Sequence, residues 1–207
     1  YVQGSEWTKA LYAYFPLALA LVALVTAVLL GWAFRSLLIP IKAVLLNALT
    51  VGATFGFLTL VLQDGVFTKL FGVGSVLGYI DTSAPLFIFA IVFGLSMDYE
   101  VFLVARIHEA HEKGMSDHDA VATALSSTGG VITSAAAVMV TVFALLLFSH
   151  VELIRTLGLG LTVAIILDAT LVRLALVPSV MTLAGRWNWW LPGPLARLAE
   201  RARRAGH

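Results

Sequence analysis

Phe93-Gly-Leu-Ser-Met-Asp-Tyr-Glu-Val-Phe102 sets a carboxylate, Asp98, inside a run from about Pro85 to Ala105 that is otherwise apolar enough to cross a membrane. An ionisable side chain at bilayer depth costs about 2.5–3.5 kcal/mol even on lenient insertion scales. A membrane helix keeps such a residue most often because an ion, a proton or a substrate uses it. The whole chain agrees with a membrane setting. Its 207 residues are 60% hydrophobic and 12% charged, with a mean hydropathy of +0.95, where a soluble domain carries about 25% charge.

Working outward from this segment, four more apolar blocks appear, at about Leu17–Phe34, Ile41–Leu62, Ala120–Phe148 and Leu157–Leu183. Each approaches or exceeds the roughly 20 residues a helix needs to cross the hydrocarbon core. Pro16 and Pro40 stand at the mouths of the first two, where a missing N–H does no harm. Short alternating segments, the sign of a β-barrel, are absent. The expected fold is an all-α integral membrane protein: one transmembrane domain over residues 1–207, five transmembrane helices and no soluble domain.

Basic residues orient the bundle. Arg35, Lys42, Arg106, Lys113, Arg186, Arg197, Arg201, Arg203 and Arg204 fall on one side, and Lys9, Lys69 and Arg155 on the other. By the positive-inside rule the N-terminus is outside and the C-terminus cytoplasmic. An outside N-terminus before five spans, with no signal peptide and no initiator Met, suggests a missing upstream span. Residues 35–42 read as a tight cytoplasmic turn, 63–84 as an external loop with an interfacial segment at 66–71, and 108–119 as a charged cytoplasmic loop. Trp187-Asn-Trp-Trp190 reads as an interfacial aromatic belt, and the basic tail 197–207 as resting on anionic membrane lipid.

Several chemistries are excluded. Cysteine is absent, which removes disulfides and thiolate metal sites. His108 and His111 beside Glu109 and Glu112 imitate a metal face, but no third ligand converges, so a solvated helix end is the reading. No basic patch has the interleaved aromatics of a nucleic-acid binder.

On the third span, helical spacing aligns Ile91, Gly94, Asp98, Val101 or Phe102, and Ala105 along one stripe. Gly94, one turn before Asp98, gives another helix room to approach. Tyr99 offers a hydroxyl that can donate to a carboxylate, and Glu100 is expected to find water or Arg106. The fourth span is dense in Gly, Ala, Ser and Thr, which reads mostly as a close-packing face. Thr133 and Ser134 are the candidates there for supporting Asp98. The fifth span carries Asp168 and Arg173, five residues and roughly 140° apart on an α-helix, so they do not stack as an i, i+4 pair. Asp168 is open to two readings, a titrating group or a structural ion pair. Pro178 is expected to bend the end of this helix.

The run Phe93–Leu103 with Arg106 resembles the hallmark segment of the MMPL (mycobacterial membrane protein large) family, within the resistance-nodulation-division superfamily of transporters. The likeness extends to residues 33–47, to Val131-Ile-Thr-Ser-Ala-Ala136 and Gly158-Leu-Gly-Leu161, to Asp168-Ala-Thr-Leu-Val-Arg173, and to Gly185-Arg-Trp-Asn-Trp-Trp-Leu-Pro192. It implies the last five helices of a twelve-helix transporter driven by a proton gradient, without a cofactor, in the bacterial plasma membrane. It also implies that Asp98 and Tyr99 match an Asp-Tyr pair on helix ten. A facing pair on helix four and two external porter domains would then come from the N-terminal half.

Three functions follow as expectations. The first is the C-terminal portion of a proton-motive-force-driven exporter of lipids or other hydrophobic compounds, which is not an enzyme. The second is a non-transporting remnant, or a subunit completed by a separate N-terminal half. The third is an intramembrane aspartyl protease using Asp98 and Asp168 as a dyad, which requires their carboxyls within about 3 Å.

Overall fold

The computed structural model describes residues 2–63 and 83–190. Helix α1 runs Val2–Phe34, α2 Leu38–Leu58, α3 Ala84–Glu112, α4 Asp117–Leu145, α5 Glu152–Leu167 and α6 Val177–Ala184. Helix α2 runs on into a π-helical turn, Thr59–Gln63, and α4 into a 3-10 turn, Leu146–Phe148. A π-helix, Asp168–Leu176, joins α5 to α6 without a break. The spans are therefore five: Ala13–Phe34, Leu38–Val61, Ala84–Glu112, Asp117–Phe148 and Glu152–Ala184. No strand occurs among the described residues. The all-α membrane fold expected from hydropathy is the fold observed. The predicted interfacial segment 66–71 and basic tail 197–207 lie outside the described residues.

Boundaries differ where charge or proline was read as an ending. Pro16 sits inside α1 rather than at its mouth. Most of the predicted loop 108–119 is helical. Glu109 holds Arg106 at 2.9 Å and Lys113 at 2.8 Å, and pairs at i, i+3 and i, i+4 favour continuing the helix. Only Lys113 to Ser116 turns, with Gly114 at φ 86°, a conformation open to glycine. The Ser116 side chain then accepts from Asp119 N–H and caps α4.

The turn between α1 and α2 is equally short. Arg35 adopts φ 49°, and the buried Ser36 hydroxyl accepts the N–H groups of Leu38 and Ile39 at 3.1 and 3.2 Å. Lys42 does not belong to this turn. It lies one helical turn inside α2, where its ammonium donates to Asn188 Oδ1 and contacts Met181 Sδ at 3.2 Å. Asn188 itself donates to the carbonyls of Met181 and Gly185 at 2.6 and 2.8 Å.

This contact folds the 3-10 helix Gly185–Trp189 back on the bundle. Trp189 stacks on His111 with ring centroids 5.1 Å apart and meets His108 edge-on at 4.7 Å. Its indole N–H donates to Asp117 Oδ1 at 3.3 Å. Trp187 and Trp190 are exposed, as a belt requires, but Trp189 is packed. The His108 and His111 face at the end of α3 is thus covered, while Glu109, Glu112 and Lys113 stay exposed. No metal-holding group of three or more His, Asp or Glu side chains exists among the described residues.

Packing follows the rule that helices in lipid gain from close approach more than from apolarity. Leu58, Ile88, Val92, Leu159 and Ala164 build a core between α2, α3 and α5. Two glycines of α5 allow it. A Cβ on Gly160 would stand 2.6 Å from Ile88 Cδ1, and one on Gly158 would stand 2.9 Å from the Phe143 carbonyl oxygen. Toward the Arg35 end, Leu103, Ile107, Ala120, Ala124, Val172 and Val177 join α3, α4 and α6.

Candidate functional site

Helix α3 has two polar faces, because residues two apart on a helix point in nearly opposite directions. Ser96 and Glu100, four apart, are both buried. Asp98, between them, is exposed, in line with exposed Gly94, Val101, Phe102 and Ala105. The stripe read from spacing is therefore real, and it lies on the outside of this five-helix unit. Asp98 makes no hydrogen bond or ion pair with any described residue. No described atom comes within 4 Å of a Cβ built on Gly94, so the expected close helix contact is not made here.

The buried face meets the π-helix. Ser96 Oγ donates to Asp168 Oδ1 at 2.9 Å. Arg173 Nε donates to Asp168 Oδ2 at 2.7 Å, and Nη2 of the same guanidinium lies 2.5 Å from that oxygen. Nη2 also donates to the Ser96 carbonyl at 2.8 Å. The guanidinium carbon lies 4.7 Å from the centre of the Tyr99 ring. The predicted 140° separation of Asp168 and Arg173 is thus corrected. π-Helical bonding runs between residues five apart, as in Val177 N–H to the Val172 carbonyl, and it brings an i, i+5 pair together. The π segment ends just before Pro178, whose missing N–H falls in the first turn of α6.

Asp168 and Arg173 are 7% and 3% exposed. Two charges so buried persist only as a hydrogen-bonded pair, so of the two readings of Asp168 the geometry is that of the structural ion pair. Beside it lies a cavity of about 20 Å³, lined by Ser96, Tyr99, Ala136, Ala169 and Arg173 among others. Arg173 Nη1 is buried with no hydrogen-bond acceptor in the structure.

The other sequence candidates separate from this cluster. Thr133 and Ser134 are exposed on α4, with Gly130, Ala137 and Thr141. Their hydroxyls donate to their own helix, Thr133 to Gly129 O at 2.8 Å and Ser134 to Val131 O at 3.0 Å. What α4 buries is Ala120, Val121, Ala124, Thr128, Ile132 and Ala136. Only Ala120, Ala124, Thr128 and Ala136 of its small residues are therefore buried, while Gly130, Thr133, Ser134, Ala137 and Thr141 form an outer stripe. Asp98 and Asp168 share no hydrogen bond, one facing outward and the other locked on Arg173, so no aspartyl dyad is assembled.

Sequence reasoning passed over Ser96 and misplaced Glu100. Glu100 is 7% exposed. It lines a small cavity with Lys42, Leu46, Val104 and Met181, while Arg106 pairs with Glu109 instead. The signal was present: with Asp98 assigned to one face, Ser96 and Glu100 at i−2 and i+2 fall on the other.

Comparison with known proteins places these residues in a wider set. A sequence model of the MMPL family matches residues 14–205. The chain is 44% identical to the trehalose monomycolate exporter MmpL3 of Mycobacterium tuberculosis, over 92% of this chain and 20% of that protein. It is 43% identical to a putative membrane protein of Streptomyces coelicolor, over 88% of this chain and 26% of that one. To the mycolic acid-containing lipids exporter MmpL11 of Mycolicibacterium smegmatis it is 42% identical, over 86% and 18%. The chain spans roughly a fifth to a quarter of the length of these relatives.

Proposed function

The chain belongs to the MMPL family, and from that premise we propose that it is the C-terminal membrane portion of an exporter of lipids or other hydrophobic molecules, driven by the proton-motive force through Asp98. One of the relatives is named as a trehalose monomycolate exporter and another as an exporter of mycolic acid-containing lipids. One observation carries the assignment of the site. Of the two aspartates in mid-span, Asp168 is neutralised by Arg173, while Asp98 is on an outer face with no partner among the described residues.

A carboxylate facing lipid is costly, so that face belongs against protein or water. The remaining helices of a complete transporter, with a facing Asp-Tyr pair, supply that environment. They seat on the stripe Gly94, Asp98, Ala105 of α3 and on Gly130, Thr133, Ser134 and Ala137 of α4. Shielded there from bulk water, Asp98 takes up and releases the coupling proton, and the Tyr99 hydroxyl beside it donates to the charged carboxylate. Porter domains outside this chain turn the resulting helix movement into lipid movement. The basic end of the bundle, with Arg35, Arg106 and Lys113, is cytoplasmic by the positive-inside rule. That places the N-terminus of this portion outside.

The test is Asp98→Asn in the transporter that carries this segment. Export is expected to fall by about a hundredfold or more, the scale of a lost proton-transfer group, with membrane insertion unchanged. Undiminished lipid export by that variant, at equal protein level, overturns the reading.

A further inference from the structure

Ser96 has no part in the scheme above, yet it binds the π-helix at two points. It is 3% exposed. Its hydroxyl donates to Asp168 Oδ1 at 2.9 Å and its carbonyl oxygen accepts from Arg173 Nη2 at 2.8 Å. In an α-helix the carbonyl of residue 96 is also the acceptor for the N–H of residue 100. The turn gripped by Arg173 is therefore the turn that contains Asp98 and Tyr99. The same guanidinium lies over the Tyr99 ring. One ion pair on the fifth span thus holds the residue two before Asp98 and the residue just after it.

We propose that Ser96 is a positioning residue for Asp98, fixing the rotation of α3 against the π-helix so that Asp98 meets its proton-exchange surroundings at a set angle. A helix turns 100° per residue, so a slip at the Ser96 contact redirects Asp98 without removing any atom of it. The hydroxyl supplies what a backbone contact alone lacks. Without it the Asp168 Oδ1 hydrogen bond disappears, and α3 is held by its carbonyl only. This rests on the reading of Asp98 as the proton-exchanging group.

Ser96→Ala, Ser96→Thr and Asp98→Asn are compared in the transporter that carries this segment, at matched membrane level and driving force, with export rate followed against substrate concentration. Ser96→Ala is expected to lower the maximal rate about fivefold or more, the scale of a lost coupling contact, and to leave the half-saturating concentration unchanged. Ser96→Thr, which keeps the hydroxyl, is expected to recover most of that rate. A wild-type rate in Ser96→Ala, or a Thr variant as impaired as the Ala variant, overturns the positioning role. Should Ser96→Ala fail to accumulate, Ser96→Cys, with a weak donor of similar size, replaces it under the same two outcomes. Normal export by Asp98→Asn overturns both readings. A dead Asp98→Asn beside an unimpaired Ser96→Ala overturns only this one.

Discussion

Arg173 holds its guanidinium carbon 4.7 Å above the centre of the Tyr99 ring while the same group is paired with Asp168. The cation therefore serves an anion on its own helix and, besides the Ser96 carbonyl, an aromatic face on α3. A cation over an aromatic face contributes about 0.5–2 kcal/mol, the larger figure when desolvated.

Tyr99→Phe keeps that face and removes only the hydroxyl. Its thermal stability in detergent is expected to match the parent, while export falls by about tenfold or more if the hydroxyl shares in proton transfer. Tyr99→Ala loses both ring and hydroxyl and is expected to melt lower. Equal export by Tyr99→Phe and parent assigns the residue to packing alone.

The Asp168–Arg173 pair is buried on both sides, so removing one member strands the other. Asp168→Asn is expected to destabilise the bundle by about 3–5 kcal/mol, the usual result of leaving a buried charge uncompensated. Replacing both, as Asp168→Leu with Arg173→Met, is expected to restore much of that loss, because the desolvation penalty goes with the charges. Denaturant or thermal unfolding of the parent and the two variants decides it. A double variant no more stable than Asp168→Asn contradicts the pair as drawn.

How much of this was legible beforehand depends on which interaction sets the position. The spans and the stripe through Gly94 and Asp98 follow from hydropathy and a 100° repeat, and both are observed. The Asp168–Arg173 ion pair is one of the two readings the sequence leaves open, and α-helical spacing does not decide between them because the chain is π-helical there. The wider turn comes just ahead of Pro178, a local backbone choice that side-chain periodicity does not report. Lys42 reads as the end of a tight cytoplasmic turn because its place in the chain fits one. Its half-buried position depends on Asn188 and Met181, about 140 residues away, and no local pattern announces such a contact.

Gly158 and Gly160 separate two kinds of crowding. A Cβ at Gly160 meets the Cδ1 atoms of Ile88 and Leu58, at 2.6 and 3.1 Å, and flexible side-chain ends can yield. At Gly158 it meets Leu146 Cβ at 2.8 Å and the Phe143 carbonyl oxygen at 2.9 Å, neither of which shifts without the backbone. Both alanine variants are overpacked, at a typical cost of about 1–3 kcal/mol. Gly158→Ala is expected at the upper end or beyond, and Gly160→Ala at the lower. Thermal melting of the two proteins ranks them, and the reverse order counts against the close approach of α4 and α5 described above.

Gly94 poses the opposite case, a glycine with open space before it. No described residue lies within 4 Å of an added Cβ, so Gly94→Leu is expected to leave the stability of the five-span unit within about 0.5 kcal/mol of the parent, as for other substitutions that touch nothing. In a complete transporter the same leucine stands where a neighbouring helix is expected to seat, and small residues are what permit that approach. Export is therefore expected to fall to background while melting of the isolated unit stays unchanged. Parent-level export by Gly94→Leu means that no helix packs there, and Asp98, one turn along the same stripe, then faces water or lipid instead of a partner.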